Sequence, residues 1–181
     1  MDYKSSPFHR FFGWKILALL AVLAAYTYWY TGPGYFGQIN DMAPGIPVQS
    51  LHFYAGHYPV EVYAALTDPQ KHKMLLAFIF DLPFMILLML VTEALIAFGT
   101  RHLKLGPKSN LLFVLPIAFL ICDFGEDSFL ALTLFGGGAI TGWCAAMFTP
   151  LKFLFFYSAC IIGILMGAAG LLSWFRTQSR S

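Results

Sequence analysis

Four apolar runs, at about residues 13–30, 74–98, 110–135 and 150–174, set the terms on which this chain folds. Each is close to or above the ~20 residues that carry a helix across a hydrocarbon core. Of the 181 residues 59% are hydrophobic, 18% aromatic and only 11% charged, against roughly 25% charged in a soluble domain. The expectation is all-α: a polytopic membrane protein in which residues 1–181 form a single four-helix transmembrane bundle with an outer loop at 31–73. Its localisation would be an integral, multi-pass one, and its first partner the lipid bilayer.

Turn chemistry agrees with those limits. Gly32 and Pro33 stop the first run, and Asp68 before Pro69 reads as N-cap and first helical position of a second helix that starts outside the membrane. Gly99 ends that helix, Gly106, Pro107 and Ser109 turn into the third, and Gly136, Gly137 and Gly138 close it. Thr149 before Pro150 reads as the cap of the fourth. Lys4, Arg10 and Lys15 before the first run also suit a signal peptide, but Tyr26, Tyr28, Trp29 and Tyr30 resemble an interfacial aromatic belt more than a small-residue cleavage site.

Charge gives orientation. Lys4, Arg10 and Lys15, then Arg101, Lys104 and Lys108, then Arg176 and Arg180 fall on one side of an even number of spans, and Lys71 and Lys73 on the other. The positive-inside rule therefore predicts both termini and the middle loop in the cytoplasm, with the first loop and the 136–149 loop outside.

Against this background Asp81, Asp123, Glu126, Asp127 and Lys152 stand out. At about 1.5 Å of rise per residue the four acids fall in the outer half of the bilayer, and Lys152, near the outer mouth of its helix, can lean inward. Spacings of three and four residues put Asp123, Glu126 and Asp127 on one helix face, which must point to the interior because ionisable groups do not face lipid. A plain scaffold in which Asp127 or Asp81 pairs with Lys152 is the bland alternative. The surplus of acids over cations argues against it and implies that at least one carboxyl keeps its proton near neutral pH.

Other features lead less far. A net charge of +2 without a basic stripe leaves nothing for nucleic acid. Cys122, Cys144 and Cys160 lack CxxC spacing, and His9, His52, His57, His72 and His102 lie outside the runs, so no metal, haem or other cofactor is expected. DFG at 123–125 lacks the glycine-rich loop and HRD of a kinase. Glu93 reads as an interfacial or separate group, and Pro83 and Pro116 as kinks that open space. Gly163 and Gly167 read as a packing face within the bundle, although the sequence is also compatible with a homo- or hetero-oligomer. The segment PVEVYAALTD at 59–68 reads as a short interfacial helix with Tyr63 and Leu66 on one side, resting on headgroups or, as the less favoured option, lidding the bundle; His52 and His57 are expected at headgroup level.

The order of Leu115-Pro116, D-x-x-E-D at 123–127 and T-x-L-K at 149–152, with L-x-F-x-x-D-L-P at 76–83, resembles a group of small four-helix membrane proteins over about residues 58–170. That resemblance implies a four-helix bundle and supplies no activity. The layout is also similar to the sterol-isomerase and sigma-two-receptor class, in which bundle acids serve an amine ligand or a carbocationic intermediate; Asp81, with Glu126, is what the likeness carries over. The functional expectation is acid–base isomerisation or cyclisation of a hydrophobic, lipid-like small molecule. Asp127 or Glu126 would give a proton, Asp81 or Asp123 would stabilise the cation or remove a proton, and Lys152 would set their charge. The alternative is a non-enzymatic proton or cation carrier, or an accessory subunit of a membrane complex.

Overall fold

A computed structural model describes residues 14–32 and 56–179, and no strand occurs among them. The order is α1 (Trp14–Thr31), α2 (Tyr58–Ala64), α3 (Asp68–His102), a 3-10 helix (Pro107–Phe113) running into α4 (Val114–Leu134), and α5 (Gly138–Gln178). Three stretches are long and apolar enough to cross a membrane, Asp68–His102, Pro107–Leu134 and Gly138–Thr177, and α1 is a shorter apolar helix. The outward face of α5 exposes Leu154, Ile161, Ile164, Leu165 and Leu172, an apolar patch of the kind that marks contact with a membrane or a protein partner. By length and composition this is the build of a multi-pass membrane protein.

Helix limits depart from expectation at informative places. The N-cap of α3 is Thr67, one residue before Asp68, with the Gln70 side-chain oxygen accepting its backbone N–H at 2.9 Å. Gly99 lies inside α3, which runs on to His102, because an added side chain there would strike the Met166 backbone; it serves close helix packing. The loop expected at 136–149 is only a tight turn, with Gly136 at φ +98° and Gly138 at φ +71°. From Gly138 α5 continues through Pro150, so Thr149 is interior and caps nothing. Pro150 costs a helix in water one hydrogen bond, but neighbouring helices make such a proline tolerable in a membrane bundle.

Tyrosines bind α1 to the stretch of α3 that precedes Pro83. The Tyr26 hydroxyl donates to the Phe80 carbonyl at 2.6 Å, next to the Ile79 carbonyl that Pro83 deprives of its helical donor. Gly163 and Gly167 face Thr92 and Leu95, so they do form a packing face within the bundle. The α4–α5 hairpin is held by the Phe129–Phe148 and Phe119–Phe156 ring pairs at 5.8 and 5.3 Å and by Thr133–Thr141 at 2.7 Å.

The short helix α2 turns its apolar side to the bundle. Tyr63 and Leu66 are buried in the main core cluster with Met74, Ala77, Leu130, Leu134 and Ala145. It therefore closes the end of the bundle above the acids. Its approach depends on Gly56 and Gly142, where the chains pass so closely that a side chain on Gly142 would strike the Gly56 carbonyl. His57 is exposed at the start of α2, and His52 lies outside the described residues.

Candidate functional site

The structure brings all of Asp81, Asp123, Glu126, Asp127 and Lys152 together between α3, α4 and α5. Asp123 and Glu126 are 1% and 0% exposed, Asp81 9% and Lys152 4%. Asp123 sits near the middle of α4, and Lys152 lies 14 residues into α5, about 21 Å from its start, so it belongs to the bundle's interior and not to an outer mouth.

Pairing differs from the simplest expectation. Lys152 binds Asp123, at 2.9 Å, and Glu126, and leaves Asp81 and Asp127 without a cation among the described residues. The second oxygen of Glu126 accepts from Thr149 Oγ1 at 2.7 Å. Thr149 and Lys152 are three residues apart on the same face of α5, so one helix turn supplies both partners of Glu126. Gly125 lets α5 approach this closely: any side chain there would run into the Phe148 ring.

Asp81 has a different neighbour. Tyr30, 4% exposed at the end of α1, lines the same cavity, and its hydroxyl donates to the Ala77 carbonyl one turn before Asp81 at 3.5 Å, so this aromatic is part of the site. Carboxylate oxygens of Asp81, Asp123 and Asp127 lie within 4.8 Å of one another. With one ammonium against four acids, the group in low dielectric requires protons shared among the carboxyls or a bound cation. An all-oxygen trio of this kind suits a hard divalent ion, although Lys152 already neutralises part of its charge.

Two cavities meet at Asp123. The larger, about 250 Å³, is lined by Tyr30, Asp81, Asp123 and Lys152 on its polar side and by Phe84, Met85, Phe119, Phe153 and Phe156 on its apolar side. The smaller, about 190 Å³, lies between α3 and α4 and is lined by Asp123, Asp127 and Ser128 with Leu82, Leu120 and Phe124. Glu126 lines neither. Tyr30 and Thr149 were not among the residues expected from sequence to form the site. Thr149 could have been found from its three-residue spacing to Lys152, whereas the height of α1 relative to α3, which places Tyr30, leaves no local signal.

Glu93 is not part of the cluster. It is a separate group, 0% exposed, and both of its carboxylate oxygens lack a hydrogen-bond partner among the described residues.

These features define an all-α bundle with an acid-rich interior opening onto an aromatic cavity. No protein-family model, curated protein or solved structure matches the chain.

Proposed function

We propose that this bundle is a membrane-embedded acid–base enzyme that isomerises or cyclises a hydrophobic, lipid-like substrate. The observation that carries this reading is the aromatic cavity with Asp81, Asp123 and Lys152 along one side. Phenyl faces can stabilise a developing carbocation and carboxylates can exchange protons with it. At about 250 Å³ the cavity is smaller than the ~300–1,000 Å³ of a typical small-molecule site, so it suits the reactive portion of an elongated substrate whose remainder lies in lipid.

The geometry refines the roles expected from sequence. Glu126 is committed to Lys152 and Thr149, which makes it a positioning residue and a poor proton donor. Asp81, without a cation among the described residues and beside Tyr30 in the cavity wall, is the acid that protonates a substrate double bond. Asp123, kept ionised by Lys152, faces the resulting cation and takes a proton from the neighbouring carbon, which moves the double bond with no net proton change. Asp127, within 4.8 Å of both, returns the proton to Asp81. The test is comparative lipid and terpenoid profiling of cells carrying Asp81→Asn or Asp127→Asn protein that folds normally. Loss of a product with accumulation of its isomer is expected, and an unchanged profile would sink the reading.

The close trio of Asp81, Asp123 and Asp127 also supports a second reading, a proton or cation carrier. A carrier gives ion flux in reconstituted vesicles that disappears in Asp123→Asn; vesicles no leakier than protein-free ones exclude it.

A further inference from the structure

A third cavity lies away from the acids, at the end of the bundle shared by the start of α1 and the ends of α3 and α5. It is a groove of about 600 Å³ walled by Leu17, Leu95, Phe98 and Trp174, with Gly167 and Ala168 as its floor. Gly167 packs against Leu95, and beside it the exposed Ala168 adds only a methyl group, which leaves the groove open. Arg101 and His102, in the last turn of α3, line the same groove at its polar end.

We propose that this groove is a binding site for an anionic phospholipid, with an acyl chain along the apolar walls and the phosphate at Arg101 and His102. Charge complementarity carries the inference. Among the described residues no acidic side chain lines the groove, and Lys15, Lys104, Lys108 and Arg176 lie at the same end of the molecule. On α3 the nearest acid is Glu93, eight residues away, about 12 Å along the axis, and fully buried. A guanidinium and an imidazole N–H donor match phosphate oxygens, and Trp174 is the residue type that settles at headgroup level. The mouth is also fixed in place. Ser173 Oγ donates to the His102 carbonyl at 3.0 Å, and the Phe98 and His102 rings lie 4.5 Å apart, so the ends of α3 and α5 are held together at the mouth. This site is independent of the acid–base reading of the acid cluster.

The test is native mass spectrometry of the full chain in micelles containing equal phosphatidylglycerol and phosphatidylcholine of identical chains. Wild type is expected to retain phosphatidylglycerol preferentially. Arg101→Gln should lower that preference by about fivefold, the share of one surface cation, while still binding lipid. Ala168→Trp, which fills the groove at an exposed position, should lose both lipids with an unchanged helical melt. Equal retention of the two lipids by wild type, or an Arg101→Gln protein with undiminished preference, overturns the proposal. So does displacement of phosphatidylglycerol by millimolar inorganic phosphate, which would assign the cations to free anion.

Discussion

Lys152 is the residue on which the acid cluster depends for its folded charge balance. Its ammonium is almost fully desolvated, and its partners Asp123 and Glu126 are more deeply buried still. Removing one partner of such a group leaves a carboxylate in low dielectric with nothing to offset it, whereas removing charge from both sides is close to neutral. Lys152→Met is therefore expected to cost about 3–5 kcal/mol of stability. The double substitution Lys152→Met with Glu126→Met should recover a large part of that loss. Unfolding in mild detergent, followed by far-ultraviolet circular dichroism, measures both. A single variant as stable as wild type would mean the ion pairs contribute little. Much of this residue-level picture is legible in the sequence, because the spacing of Asp123, Glu126 and Asp127 puts them on one helical face whatever the surroundings. The choice of partner is not legible: which carboxyl meets Lys152 depends on where α5 lies along α4, and that follows from the length of α5.

At the level of elements, the helix that matters most for access to the acids is the shortest. By burying Tyr63 and Leu66 against Leu130, Leu134 and Ala145, α2 closes one end of the bundle, and its seat requires the bare backbone of Gly142 beneath Gly56. Gly142→Val places a side chain where the Gly56 carbonyl now lies. The expected result is an α2 lifted from its seat, with faster amide exchange across residues 58–66 and unchanged protection in the middle of α3 and α4. If exchange at 58–66 stays slow, the close approach is not what holds α2 down. Sequence reading finds this helix, its Pro59 start and its apolar side, but leaves its resting place undecided, since a headgroup layer and a bundle end ask for the same amphipathic pattern. It also places a loop at 136–149. Glycine and Thr-Pro are stop signals in water, whereas in a bundle that satisfies backbone groups laterally a 41-residue helix runs straight through Pro150.

For the whole molecule, the consequence of these contacts is polarity along the bundle axis. Tyr30 meets the Asp81 level of α3 and Ile16 and Leu17 meet Phe98, so α1 runs antiparallel to α3, whereas Gly163 meets Thr92 and Ser173 meets His102, so α5 runs parallel to it. Lys15, Arg101, Lys104, Lys108 and Arg176 thus gather at one end, and α2 with the α4–α5 turn occupies the other. The positive-inside rule assigns the basic end to the cytoplasm, which puts the lidded acid cluster nearer the outer or lumenal face. Cysteine labelling tests that assignment. With Cys122, Cys144 and Cys160 first replaced by alanine, Asn110→Cys and Thr177→Cys should react with an impermeant maleimide only when the cytoplasmic face is presented. Thr67→Cys and Ala139→Cys, both at exposed positions of the opposite end, should react only from the other face. Labelling of Asn110→Cys and Thr67→Cys from the same side would mean that α3 does not cross. Reversal of both sets would keep the bundle but invert it, and the acids would then receive their substrate from the cytoplasmic leaflet.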